Sequence, residues 1–235
     1  MLVPISEIFS SIQGEGKYVG CRQLFIRFVG CNLSCRYCDT EDMLAADKCD
    51  LENDKVLDNP VTLTDVLPYI KKRLQEKHHS ISLTGGEPLL YTDFINELAD
   101  EVKQPLFLET NGTLYEQLAK VIDNIDIISM DFKMPDAVGR DLWQQHEKFL
   151  QIASKKDVYV KVVLADETLK SDFEKALELL NSVDKNILLI IQPITPYGGY
   201  TAPSPDKVLA YQSLALKKIN DVRVIGQTHK LLGQR

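Results

Sequence analysis

Ser80-Ile-Ser-Leu-Thr-Gly-Gly-Glu-Pro-Leu-Leu-Tyr-Thr-Asp-Phe-Ile-Asn-Glu-Leu-Ala-Asp-Glu-Val-Lys-Gln-Pro-Leu-Phe-Leu-Glu109 holds one complete strand–helix–strand unit. Residues 80–84 are a short β-branched run that reads as a strand. Residues 94–102 carry apolar side chains at helical spacing, and 105–109 return to a strand pattern. The same alternation extends along the chain. Further strand runs fall at 23–29, 126–130, 158–164, 187–191 and 222–225. Helical spacing links Leu63, Val66, Leu67, Ile70 and Leu74, and again Leu169, Phe173, Leu177 and Leu180. Other helices fit 114–121, 142–152 and 205–219. Thr62 and Thr168 are candidate helix starts, and Ser204 before Pro205 is a third.

Repeated strand–helix units imply a parallel sheet joined by right-handed crossovers. A full barrel takes about eight such units. About six to seven parallel strands can be counted, so the expected fold class is α/β, an open partial (β/α) barrel. A doubly wound sheet competes, but no G-x-G-x-x-G follows a strand. There is no linker and no repeat, which predicts a single domain over 1–235, with an acidic, weakly patterned insertion at about 41–61.

Composition narrows the function. Among 235 residues, 34 acids against 27 bases leave a net charge of −7, which disfavours direct nucleic-acid binding. No apolar run reaches the roughly 18 residues of a membrane span, and the first residues lack the pattern of a secretory signal. A cytoplasmic location is the expectation. Five cysteines are odd in number and few for a disulfide scaffold.

The polar residues with chemical promise follow the strand ends. Cys31 follows the first parallel strand, Gly85-Gly86-Glu87-Pro88 the second and Glu109-Thr-Asn-Gly112 the third. Asp131 and Lys133 follow the fourth, and Gln192-Pro193 the sixth. In parallel α/β folds sites assemble on that carboxyl edge, so one composite site is expected. Cys31, Cys35 and Cys38 form C-x3-C-x2-C. Structural zinc normally takes four protein ligands, and no fourth stands at customary spacing. Three cysteines can instead hold a [4Fe–4S] cluster whose fourth iron is open to a small chelate. Gly85 and Gly86 allow close backbone approach to a ligand. Lys161 interrupts an apolar strand, either pointing into the site or snorkelling outward. His78-His79, at a helix end, reads as solvated.

The cysteine motif followed by Gly-Gly-Glu-Pro resembles the radical S-adenosylmethionine superfamily. Within it the chain is similar to the 7-carboxy-7-deazaguanine synthase family. The likeness runs through Ile5-Ser-Glu-Ile-Phe-Ser-Ser-Ile-Gln-Gly-Glu-Gly16, Phe25 to Thr40, Thr84 to Pro88, Glu109 to Gly112, Ser129 to Lys133, Gln192-Pro193 and Gln227-Thr-His-Lys230. The resemblance implies a lyase that converts 6-carboxy-5,6,7,8-tetrahydropterin to 7-carboxy-7-deazaguanine plus ammonia in queuosine and deazapurine biosynthesis. A 5′-deoxyadenosyl radical starts the ring contraction, so no protein side chain is assigned as catalytic.

The implied cofactors are a [4Fe–4S] cluster on Cys31, Cys35 and Cys38, S-adenosylmethionine, and Mg2+ at Thr40. Matching positions for S-adenosylmethionine are Tyr37, Cys38, Asp39, Gly86 and Glu87, then Ser129, Met130, Asp131 and Lys133, and finally Gln192, Pro193, Ile194 and Thr195. Those for the pterin are Ile12, Gln13, Gly14, Glu15, Arg27 and Thr84. The chain end of such synthases can reach the pterin, which adds Arg235. A one-electron donor such as flavodoxin or ferredoxin and a homodimer are the implied partners. A glycyl-radical activase is the enzymatic alternative, and a zinc or iron–sulfur binding module the non-enzymatic one.

Overall fold

The computed structural model describes residues 1–38, 46–52 and 54–234. Its centre is a run of seven parallel strands. In spatial order these are β2 (Arg22–Phe28), β5 (Ile81–Gly85), β6 (Leu106–Thr110), β7 (Ile127–Asp131), β8 (Asp157–Leu164), β9 (Leu188–Pro193) and β10 (Val222–Val224). They coincide with the seven runs expected from the sequence. Among the described residues the sheet nevertheless has ten strands. Beyond β2 lies β1 (Ile5–Ile12), antiparallel to it, then β3 (Lys48–Asp50) and β4 (Val56–Asp58). β10 and β4 are the two edges, so the sheet does not close on itself.

Helices cover the outer face. Between β4 and β9 these are α1 (Leu63–Arg73), α2 (Thr92–Glu101), α3 (Tyr115–Val121), the short α4 (Pro135–Val138), α5 (Trp143–Ala153) and α6 (Lys170–Asp184). After β9 come α7 (Pro205–Ala215) and the short α8 (Thr228–Leu232). The main core lies between this layer and the sheet. Phe28, Phe94, Phe149 and Phe173 are fully buried there with Ile26, Leu83, Ile128, Val160 and Ile191.

Two of the three expected caps hold. The Asp65 carboxylate accepts from the Thr62 N–H at 2.8 Å and from its hydroxyl at 2.6 Å, and Ser204 Oγ accepts from the Lys207 N–H at 3.2 Å. Thr168 caps nothing. Its hydroxyl accepts from the Ala165 N–H at 2.9 Å, and α6 begins two residues later.

β3 and β4 pair antiparallel and extend the sheet past β1. Asn59 fastens this pair: its carboxamide exchanges bonds with both polar groups of the Ile5 backbone, at 3.1 and 2.9 Å. Cys49 and Leu51 are fully buried in the core. His78, expected to be solvated, is buried as well, with Nε2 2.9 Å from Ser10 Oγ on β1. No helix among the described residues is long and apolar enough to cross a membrane.

Candidate active site

The carboxyl ends of β2 and β5 to β9 open into one cavity of about 730 Å³. Its wall includes Cys31, Cys35 and Cys38 together, with Tyr37 and Gly86 beside them. Ser129, Asp131, Lys133, Gln192, Ile194 and Thr195 contribute from the later strands. Ile12, Gln13, Gly14, Glu15, Arg27 and Thr84 face the same space from β1, β2 and β5. The expectation of one composite site at the strand ends therefore agrees with the geometry.

Three expected residues do not join the cavity wall. Glu87 is fully buried beneath it. One carboxylate oxygen accepts from Thr110 Oγ at 2.9 Å and the Leu89 N–H at 3.2 Å; the other accepts from the Asn111 N–H at 2.9 Å. Burial pushes this carboxyl up to about 7. Glu87 thus ties the β5 and β6 loops together. The Met130 side chain belongs to the core, packed toward Gly112. Pro193 ends β9 beside Gln192 but does not line the space. Asp39, Thr40 and Arg235 lie outside the described residues.

The two glycines of Gly85-Gly86-Glu87-Pro88 have an unexpected cause. A Cβ at Gly86 would lie 1.8 Å from the Gly30 carbonyl oxygen, and one at Gly85 2.4 Å from that of Phe28. The β5 turn is pressed against the backbone that leads into the cysteine loop, where the Glu87 N–H donates to Gly30 O at 2.8 Å. Close approach is needed here, to another strand end as well as to the cavity. The other side of the cysteine loop is held similarly: the Arg36 N–H donates to Ala137 O, and a Cβ at Gly198 would meet Arg36 O at 2.0 Å.

Charge is arranged as pairs. Arg27 donates through Nε to Glu7 at 2.7 Å, with the two side chains 14% and 11% exposed. Lys161 points inward, settling the question its position posed. Its Nζ is 2.5 Å from Glu15 and 3.6 Å from Asp131. Lys133 sits 2.8 Å from Asp131. Burial opposes the Lys133 charge, yet Asp131, together with Tyr37 and Cys35, more than offsets it and keeps the ammonium protonated. Between these pairs, Glu109 accepts from Gln13 Nε2 and Thr84 Oγ, each at 2.7 Å. Glu109 and Asn111 were legible only as strand-end residues with no assigned role; both line the cavity.

The chain past β10 also reaches the site. Gln227, His229, Lys230 and Gln234 line the cavity. The Thr228 N–H and hydroxyl donate to Gly14 O at 2.9 and 3.0 Å, and Gln227 donates to Glu15 at 2.8 Å. A Cβ at Gly14 would strike His229. This explains a Gly in the turn between Gln13 and Glu15.

The donor set fits an iron–sulfur cluster and a polar ligand. Among the described residues no three His, Cys, Asp or Glu side chains converge on a single-ion site. The three thiols do line the wall of one cavity, and cysteine thiolates are the ligands that iron–sulfur clusters take. The Leu33 N–H already donates to Cys31 Sγ at 3.4 Å. Tyr37 Oη, Asp131 Oδ1 and Gln192 Oε1 are buried cavity-side atoms with no protein partner among the described residues. Buried polar atoms are normally satisfied, so these suit a bound molecule rich in donors and acceptors.

The radical SAM superfamily profile matches residues 25–181. A relative from Geobacter sulfurreducens named 7-carboxy-7-deazaguanine synthase is 41% identical over 98% of this chain and 97% of its own length. The chain belongs to the 7-carboxy-7-deazaguanine synthase family. A further member of that family, from Methanothermobacter thermautotrophicus, is 35% identical over 100% of this chain and 99% of its own. Among solved structures, QueE from Escherichia coli shares the fold with a TM-score of 0.62 at 22% identity, covering 97% of this chain and 95% of that one. A radical SAM methyltransferase from Sphaerobacter thermophilus gives 0.61 at 12% identity, over 94% of this chain and 77% of the other. Family membership also fits the cavity, whose wall includes both the cysteine loop and the 12–15 turn.

Proposed function

We propose that this chain is a radical S-adenosylmethionine lyase that forms 7-carboxy-7-deazaguanine from 6-carboxy-5,6,7,8-tetrahydropterin. The observation that carries the reading is the sharing of one cavity by three cysteine thiols, Arg27 and the 12–15 turn, in a full-length member of the synthase family.

Cys31, Cys35 and Cys38 would hold the [4Fe–4S] cluster, which when bound supplies one electron to S-adenosylmethionine. The protein's own part is binding and orientation. Tyr37, Ser129, Asp131, Lys133 and Gln192, on the side of the cavity built by the cysteine loop, β7 and β9, are suited to S-adenosylmethionine. The ammonium of Lys133 and the free oxygen of Asp131 match its carboxylate and donor groups. Arg27 leaves its terminal nitrogens available for the pterin carboxylate while Glu7 fixes its Nε. Gln13, Glu15, Thr84 and Glu109 supply acceptors and donors for the ring. The 227–230 segment borders this space and helps to exclude water. Mg2+ at Thr40, Asp39 toward S-adenosylmethionine and Arg235 toward the pterin complete the proposal. So do a homodimer, a flavodoxin- or ferredoxin-like donor and a cytoplasmic setting. These rest on the family resemblance.

The test is anaerobic incubation of reconstituted protein with S-adenosylmethionine, reductant, Mg2+ and the carboxypterin. The expected product is 7-carboxy-7-deazaguanine, identified by mass. A cluster-loaded protein that cleaves S-adenosylmethionine but forms no deazapurine contradicts the reading.

A further inference from the structure

We propose that Asn111 is a positioning residue that sets the reduction potential of the cluster through its carboxamide N–H on Cys31; this rests on the cluster assignment above. Asn111 follows β6 and is 7% exposed. Its backbone is fixed at both polar groups. The N–H donates to Glu87 at 2.9 Å, and the carbonyl accepts from His146 Nε2 at 3.2 Å. His146 is fully buried and stacked on Phe132 at 5.0 Å, so this support is rigid.

The side chain has equally little freedom. Its Oδ1 accepts from the Thr113 N–H at 3.1 Å and the Thr113 hydroxyl at 2.6 Å. Two donors on that atom determine the orientation of the amide. The NH2 group must then face the cysteine loop, where Nδ2 lies 2.8 Å from Asn32 Oδ1 and 3.8 Å from Cys31 Sγ. One amide hydrogen serves Asn32 and the other is directed at sulfur. Asn32 is held in turn by its own donation to Thr113 Oγ at 2.9 Å. With the Leu33 N–H, this gives Cys31 Sγ a second N–H donor, one that a single substitution removes.

An N–H donor on a cysteine sulfur stabilises the extra negative charge of a reduced cluster, so it raises the potential. Removing it must make reduction harder. Asn111→Ala deletes the donor. Asn111→Asp keeps the shape and places an anion beside the sulfur.

The measurement is an EPR-monitored redox titration of the reconstituted protein without substrate. At the potential where half of the wild-type cluster is reduced, Asn111→Ala is expected to show a several-fold lower reduced-to-oxidised ratio. Asn111→Asp should show a larger fall. Midpoints equal to wild type in both variants overturn the proposal. So does failure of both variants to take up iron while circular dichroism shows the native fold, since Asn111 is then needed for assembly rather than for potential. A wild-type protein that assembles no cluster contradicts the functional reading itself, a separate outcome.

Discussion

Lys161 Nζ lies 2.5 Å from Glu15 Oε2, although 146 residues separate them in the chain. The side chains are only 14% and 21% exposed, and Gln227 donates to the other Glu15 oxygen. The ion pair thereby joins the turn after β1 to strand β8, and the Gln227 hydrogen bond adds the segment after β10. Burial by itself would raise the Glu15 carboxyl. Lys161, with the Gln227 hydrogen bond and the nearby His229, more than offsets this and holds it down at about 2, against an ordinary value of 4.5.

Breaking this pair from one side should cost more than removing it. Lys161→Met leaves a buried carboxylate without its cation, and a loss of about 3 kcal/mol is expected. The double variant Lys161→Met/Glu15→Gln should recover most of that loss. Because the folded-state value is depressed, the stabilisation is fully present above pH about 5 and is lost as pH falls toward 2. Urea midpoints measured from pH 3 to 7 should therefore fall less steeply for the double variant than for wild type. Parallel curves would show that the pair contributes nothing.

Gly86→Ala should be severely destabilising, because its Cβ would sit 1.8 Å from Gly30 O, a backbone atom that cannot rotate away. A loss of more than about 2 kcal/mol is expected. Gly226→Ala, with no heavy atom within 4 Å of the new Cβ, should stay within about 0.5 kcal/mol of wild type. Equal chemical-denaturation midpoints for the two variants would contradict the packing described here.

Deleting residues 227–235 removes the bonds from Thr228 to Gly14 and from Gln227 to Glu15. The pterin KM should rise by roughly 5- to 150-fold, corresponding to about 1–3 kcal/mol. Iron content and uncoupled S-adenosylmethionine cleavage should remain, since the cysteine loop is held separately by Ala137 and Gly198. An unchanged KM refutes a role for this segment at the substrate.

Arg27→Ala should weaken pterin binding by about 2–5 kcal/mol, roughly 30- to several thousand-fold in Kd, with S-adenosylmethionine cleavage largely intact. Arg27→Lys should rescue poorly. An ammonium cannot both occupy the Glu7 contact and present a planar fork. Unchanged substrate affinity in the alanine variant would reduce Arg27 to a structural partner of Glu7.

The parallel part of the sheet was legible because its strands are buried on both faces and read as short apolar runs, as in Ile81 to Leu83 and Leu106 to Leu108. β1 was not. Ser6, Glu7, Ser10 and Ser11 interrupt it without strict alternation, and a register shift between Ile5 and Glu7 breaks the period of two. β3 and β4 have three residues each, too few for any period. At the site, the cysteine spacing carried its own chemistry. The roles of Glu87 and Gly86 depended instead on contacts with Asn111 and Gly30, and sequence spacing does not show such pairings. Thr168 illustrates the same limit, as a helix-start residue whose hydroxyl is used by Ala165.

The most direct test of the account measures iron and deazapurine formation together in wild type and in single alanine variants of the five cysteines. Wild type, Cys21→Ala and Cys49→Ala should each load a [4Fe–4S] cluster and convert 6-carboxytetrahydropterin to 7-carboxy-7-deazaguanine. Cys31→Ala, Cys35→Ala and Cys38→Ala should lose both. Wild-type iron and turnover in Cys35→Ala would contradict the central claim.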